Sequence, residues 1–196
     1  FRQALFDDSF NIKEQNLHAL VGESGCGKSM TAMSVLQLLP KTAKITSGEI
    51  FFKDKDMLIL NKKHLREIRG ARIALIPQDP MTSLNPLYTV GNQLLEVIKL
   101  HQNLKGTEAK KKAIEALEMV QIPSAKERFN QYPHEFSGGM KQRAIIAMAL
   151  ACNAELIIAD EPTTALDVTI QAQIMQLLSD IKQEFGTSIL LITHDL

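Results

Sequence analysis

Gly22-Glu23-Ser24-Gly25-Cys26-Gly27-Lys28-Ser29 is the stretch on which the fold turns. Four residues separate Gly22 from Gly27, and Lys and Ser come directly after, which is the P-loop pattern. Glycines at 22, 25 and 27 permit backbone angles closed to other residues, so successive N–H groups can turn inward around a phosphate. A helix opening near Lys28 adds the positive end of its dipole, and Lys28 supplies a mobile full charge to the β- and γ-phosphates. Ser29 is placed to ligate Mg²⁺. Cys26 reads as a small loop residue contributing its amide; the alternative is a redox-active thiol with a pKa lowered by the helix terminus.

The flanks supply the context this chemistry requires. Leu17 to Val21 reads as a strand, and Met30 to Leu39 as a helix closed by Pro40, which cannot extend it. Further out, short apolar runs alternate with helical stretches, predicting a parallel sheet flanked by helices. Gly48 to Phe52 reads as a strand leading into a polar turn, Asp54-Lys55-Asp56, which suggests a small antiparallel appendage. Ala71 to Ile76 is a buried strand ended by Pro77. From Thr89 to Ala151 the pattern is helical, a subdomain set into the α/β core. Two more strands, Glu155 to Ala159 and Ser188 to Ile192, enclose a helix over Val168 to Glu184.

Composition excludes several classes. The 196 residues fit one domain, and 45% apolar against 22% charged rules out wholesale disorder. Lys plus Arg equals Asp plus Glu at 22 each, so no overall field draws the chain to nucleic acid or an anionic membrane. The apolar run Ala144 to Cys152 is far short of the ~20 residues needed to cross a bilayer. Cys26 and Cys152 are too far apart for a metal-ligand pair and too few for an oxidised framework, which favours a reducing cytosolic setting. No secretory leader is visible. A first residue that is not Met and a last residue just past a strand suggest a fragment of a longer protein. Two basic stretches, Lys62-Lys63-His64 with Arg66, Arg69 and Arg72, and Lys105 with Lys110 to Lys112, read as solvated helix faces, having no interleaved aromatics for base stacking.

A phosphate grip accounts for binding but not for a reaction. Leu156 to Glu161 is an apolar strand ending in two carboxylates, at the sheet edge where the P-loop also lies. Asp160 can hold hydrated Mg²⁺, and Glu161 can polarise the attacking water. Taken alone, the pair could also cap a surface turn before Pro162. Ser137-Gly138-Gly139 opens the helix Met140 to Leu150, and either a plain cap or a second phosphate grip explains it. His194 and Gln78 each come after a predicted strand on the catalytic edge, and the Gln78 amide could reach metal and water.

Together these residues resemble the nucleotide-binding domain of an ATP-binding-cassette transporter over essentially the whole chain. The supporting stretches are GESGCGKS at 22–29, Gln78, FSGGMKQR at 136–143, LIIADEP at 156–162, TALD at 164–167 and THD at 193–195. More narrowly, residues 27–40, 78–86, 132–139 and 159–174 resemble the ATPase subunits of bacterial oligopeptide, dipeptide and nickel importers. The stretch after Lys28 is similar to the D-type subunit, which pairs with an F-type relative.

The resemblance implies a RecA-like P-loop NTPase core, residues 1–88 and 152–196, with a helical subdomain over about 89–151, in one domain truncated at both ends. It implies an ATPase using ATP and Mg²⁺, peripheral on the cytoplasmic face of the bacterial inner membrane. Its partners would be a second ATPase subunit, F-type or a copy, two transmembrane permease subunits and indirectly a solute-binding protein, with no nucleic acid. Nucleotide would be bound by residues 22–29 and Met30, and across the dimer by Ser137, Gly138 and Gly139. Ser29, Gln78 and Asp160 would manage Mg²⁺, Glu161 would act as base, and His194 would contact the γ-phosphate. Asp167 would communicate across the dimer, and Gln78 with the segment after it would sense nucleotide and face the membrane subunits. Phe136 and Met140 depart from the Leu and Gln that end the family's Leu-Ser-Gly-Gly-Gln signature, while Ser137 and Gly138 are intact. The family's adenine-stacking aromatic lies upstream of the first core strands, where Phe1 stands; the role is not assigned.

Two other classes share part of this pattern. A cassette ATPase acting on DNA or ribosomes would keep the ATP site without a membrane partner. A P-loop GTPase reads guanine with Asn-Lys-x-Asp, and Asn61-Lys62-Lys63-His64 lacks the acid.

Overall fold

The computed structural model describes residues 5, 9–23, 25–164 and 166–194. Phe1, Ser24 and Asp195 lie outside the described residues. The main sheet has four parallel strands in the order β1 (Leu17–Val21), β6 (Ser188–Thr193), β5 (Leu156–Asp160) and β4 (Ile73–Ile76). Val21 is in register with Thr193, Asp160 with Ile192 and Ile76 with Ala159, so the four C-terminal ends share one edge.

Each strand sends alternate residues to opposite faces, and both faces are covered. Past the single turn of α3 (Pro80–Ser83), Ile157, Ile189 and Leu191 join a core shared with α4 (Val90–Gln102), α5 (Gly106–Met119), α7 (Gly138–Ala151) and α8 (Val168–Phe185). Ile73, Ile158, Leu190 and Ile192 join a second core with Ala32 of α1 (Lys28–Val35) and Leu65 and Ile68 of α2 (Lys62–Ile68). The helical stretch therefore has no separate interior: Ala144, Ile146 and Leu94 belong to the same apolar cluster as the strands.

Several boundaries differ from the sequence reading for physical reasons. Helix α1 ends at Val35, well short of Pro40, because Gln37 adopts φ 49° and Arg69 captures the carbonyls of Leu36 and Gln37 at 2.7 Å each. In the appendage, β2 (Phe51–Phe52) pairs antiparallel with β3 (Lys55–Asp56), so two residues expected in the turn are strand and Lys53, at φ 53°, turns the chain. Strand β4 begins at Ile73 because Gly70 donates to the Ile73 carbonyl, closing a turn over the two residues before it. The expected helical run is broken by α6 (Ala125–Arg128) and a 3₁₀ turn over Pro133–Glu135. Nor are all the basic residues solvated: Arg69 is spent on α1, and Arg72 pairs with Glu155 at 2.6 Å and stacks over Phe52.

Candidate active site

Four strand ends deliver the side chains. After β1, the loop turns through Gly25 (φ 82°) and Gly27 (φ 103°), angles at which a Cβ would be strained. Gly22 has a different reason: a Cβ there would stand 2.8 Å from Cys26 Sγ. Gly27 heads α1 with no side-chain cap, unlike the heads of α2, α4, α7 and α8, which Asn61, Thr89, Ser137 and Asp167 cap. The first amides of α1, Met30 included, are thus left for an external acceptor. Lys28 is buried, and its ammonium donates to the carbonyls of Gly22 (2.5 Å) and Glu23 (2.8 Å), with Cys26 Sγ at 4.0 Å.

The two acids, both buried, are the last residue of β5 and the one after it. Asp160 Oδ1 accepts from the Ser29 hydroxyl at 3.0 Å. Burial pushes the Asp160 carboxyl above its ordinary value, helped by the neighbouring Glu161 charge, while Ser29 and Lys28 pull the other way. Glu161 sits at φ 45°, a left-handed conformation rare outside glycine, with its N–H donating to the Ile192 carbonyl at 2.9 Å. Its Oε1 lies 3.7 Å from Lys28 Nζ. Its Oε2 accepts from Gln78 Nε2 and Thr164 Oγ1, each at 2.9 Å, and lies 3.4 Å from His194 Nδ1.

Sequence reasoning thus names Lys28, Ser29, Gln78, Asp160, Glu161 and His194, and the fold brings all six together. It gave Thr164 no role of its own, although the residue opens the TALD stretch at 164–167 and its hydroxyl stands three residues past Glu161. The Ser137 hydroxyl accepts from the Met140 N–H at 3.3 Å as the N-cap of α7. Among the described residues of this single chain, Ser137, Gly138, Gly139 and Asp167 make no hydrogen bond or ion pair with the six, and Asp167 caps α8 through the Ile170 N–H. A Cβ on Gly139 would stand 2.9 Å from Ile170 Cγ2, so that glycine lets the start of α7 pack against α8. Cys26 is exposed and Cys152 buried, neither bonded to the other. Among the described residues no group of three or more His, Cys, Asp or Glu could hold a metal ion. The donors beside α1 are instead a hydroxyl and a carboxylate, the hard oxygens that suit Mg²⁺ when it keeps water or phosphate as its other ligands.

A phosphate loop facing paired acids on the C-terminal edge of a parallel sheet defines the class as P-loop NTPase. The family model described as ABC transporter matches residues 5–164, and the chain belongs to that family. It is 56% identical over 195 residues to the probable peptide ABC transporter ATP-binding protein y4tR of Sinorhizobium fredii, covering 99% of this chain and 58% of that protein. It is 53% identical to the dipeptide transport ATP-binding protein DppD of Bacillus subtilis, with the same coverage of 99% and 58%. The chain therefore spans little more than half the length of these relatives. Among solved structures, the bacterial ABC transporter cassette MJ0796, a dimer, superposes with TM-score 0.85 at 34% identity, covering 98% of this chain and 80% of that one. The same cassette in a post-hydrolysis state bound to ADP and Pi gives 0.84, with the same identity and coverage. No helix among the described residues is long and apolar enough to cross a membrane.

Proposed function

We propose that this chain is the ATP-binding and ATP-hydrolysing part of a D-type subunit that energises peptide import across a bacterial inner membrane. The observation that carries the reading is the convergence of Lys28, Ser29, Asp160 and Glu161 from opposite halves of the chain: Ser29 Oγ is 3.0 Å from Asp160, and Lys28 Nζ 3.7 Å from Glu161. Oligopeptides or dipeptides are the favoured solutes because the relatives named above are peptide and dipeptide transport proteins. The partners of this reading are a second ATPase subunit and two permeases, with a solute-binding protein behind them, and the place of work is the cytoplasmic face.

The residues divide the task. Lys28 exchanges its main-chain acceptors for the β- and γ-phosphates of ATP, and the uncapped amides of α1 take the phosphate oxygens. Ser29, Asp160 and Gln78 would hold Mg²⁺, which when bound neutralises charge on the phosphate oxygens. Glu161 accepts a proton from the attacking water, and His194, on the neighbouring strand end, steadies the charge that develops on the γ-phosphoryl group. Ser137, Gly138 and Gly139 serve the nucleotide of the opposing subunit, and Asp167 signals across that interface. The experiment is Glu161→Gln in the full-length subunit assembled with its partners. ATP binding should persist while turnover falls on the order of 10²–10⁴, the scale of a general base. An unchanged rate would remove Glu161 from this role.

A further inference from the structure

The two oxygens of Glu161 are not equivalent. Oε1 faces Lys28, the side from which the phosphates are held, whereas Oε2 receives Gln78, Thr164 and His194. Gln78 and His194 lie just past β4 and β6, so each can leave without moving Glu161. Thr164 is different. It lies three residues on in the same turn, and its own N–H donates to the Glu161 carbonyl at 3.3 Å. That turn is tied down beyond it, because Gln171 Nε2 of α8 donates to the carbonyls of Thr163 (3.2 Å) and Leu166 (3.0 Å).

We propose that Thr164 is a positioning residue for hydrolysis: its hydroxyl pins Oε2 of Glu161, so that Oε1 is the oxygen presented to the attacking water. The inference deepens the ATPase reading and rests on it. When Gln78 and His194 turn toward nucleotide, the Thr164 bond is the one that travels with the carboxylate and keeps its rotamer. A carboxylate held within a few tenths of an ångström loses less rate to misorientation than one free to swing. Thr164 itself is exposed, so replacing its hydroxyl by a methyl group of the same shape disturbs little packing.

The test is steady-state ATP hydrolysis by the full-length subunit in its assembled transporter, comparing wild type, Thr164→Val, Thr164→Ser and Glu161→Gln. Thr164→Val should lower kcat roughly three- to tenfold, the scale of one lost hydrogen bond, with KM for ATP and the thermal midpoint unchanged. Thr164→Ser, which keeps the hydroxyl, should return to within about twofold of wild type. The assignment is overturned if Thr164→Val turns over at the wild-type rate, if Thr164→Ser is as slow as Thr164→Val, or if the loss falls on KM alone. Should wild type hydrolyse no ATP, or Glu161→Gln be as fast as wild type, the ATPase reading itself falls and this inference with it.

Discussion

Gly139, in the first turn of α7, lies against Ile170 of α8. An alanine within a helix normally gains ~0.5–1 kcal/mol over glycine by limiting the unfolded chain. Here the added Cβ would meet Ile170 Cγ2 at 2.9 Å, and a β-branched side chain has little freedom to retreat. Overpacking of this kind costs about 1–3 kcal/mol, so the clash outweighs the propensity. Gly139→Ala should therefore lower the urea midpoint. In an Ile170→Ala background the same change should become neutral or stabilising, and equal penalties in both backgrounds would break the link between the two positions. The glycine pair after Ser137 was legible as a feature needing bare backbone; that one member answers to a residue of the next helix was not, because no local pattern encodes Ile170's position.

Elements show the same division between local and distant causes. The strands, the helix after the phosphate loop and the cap at Ser137 arise from short-range patterns and were readable within a few residues, whereas Asp167, which also caps α8, was read only for a role across the dimer. The end of α1 was not readable locally, since it depends on Arg69 reaching back more than thirty residues to two carbonyls. Glu155 at the mouth of β5 is a second such tie. It accepts from Arg72 at 2.6 Å and pairs with Lys53 of the appendage, and these partners, Arg72 foremost, hold its carboxyl down to about 2 from an ordinary 4.5. A carboxyl whose folded value is depressed stabilises the fold above its ordinary value, and that contribution fades as pH falls through the folded one. Because the side chain is 40% exposed, solvent screening limits the contribution to about 1 kcal/mol. Glu155→Gln should thus lower the thermal midpoint at pH 7 and converge with wild type between pH 4.5 and about 2. A gap that stays constant over that window would assign the loss to something other than the charge.

At the scale of the molecule, the sharing of one core between the sheet and the helical stretch bears on how the chain comes apart. Leu94, Leu117 and Ile146 pack in the same cluster as Ile157 and Ile189, so opening the helices strips one whole face of the sheet. Cys152, at the end of α7, belongs to that cluster and donates to the Met148 carbonyl at 3.3 Å. Burial pushes its thiol up to about 11 from 9.0, so at pH 8 it is both covered and almost wholly protonated, and the thiolate is the reactive form. Cys26 is exposed on the phosphate loop and serves as the internal control. In rising urea at pH 8, an alkylating thiol reagent should modify Cys26 from the start. Cys152 should be modified only with a midpoint matching the loss of helical circular dichroism, as one cooperative unit requires. If Cys152 labels well before the far-ultraviolet signal changes, the helical face opens separately from the sheet. The segment that heads α7 with Ser137 could then move against the phosphate loop without unfolding the core, instead of being held to it by their common interior.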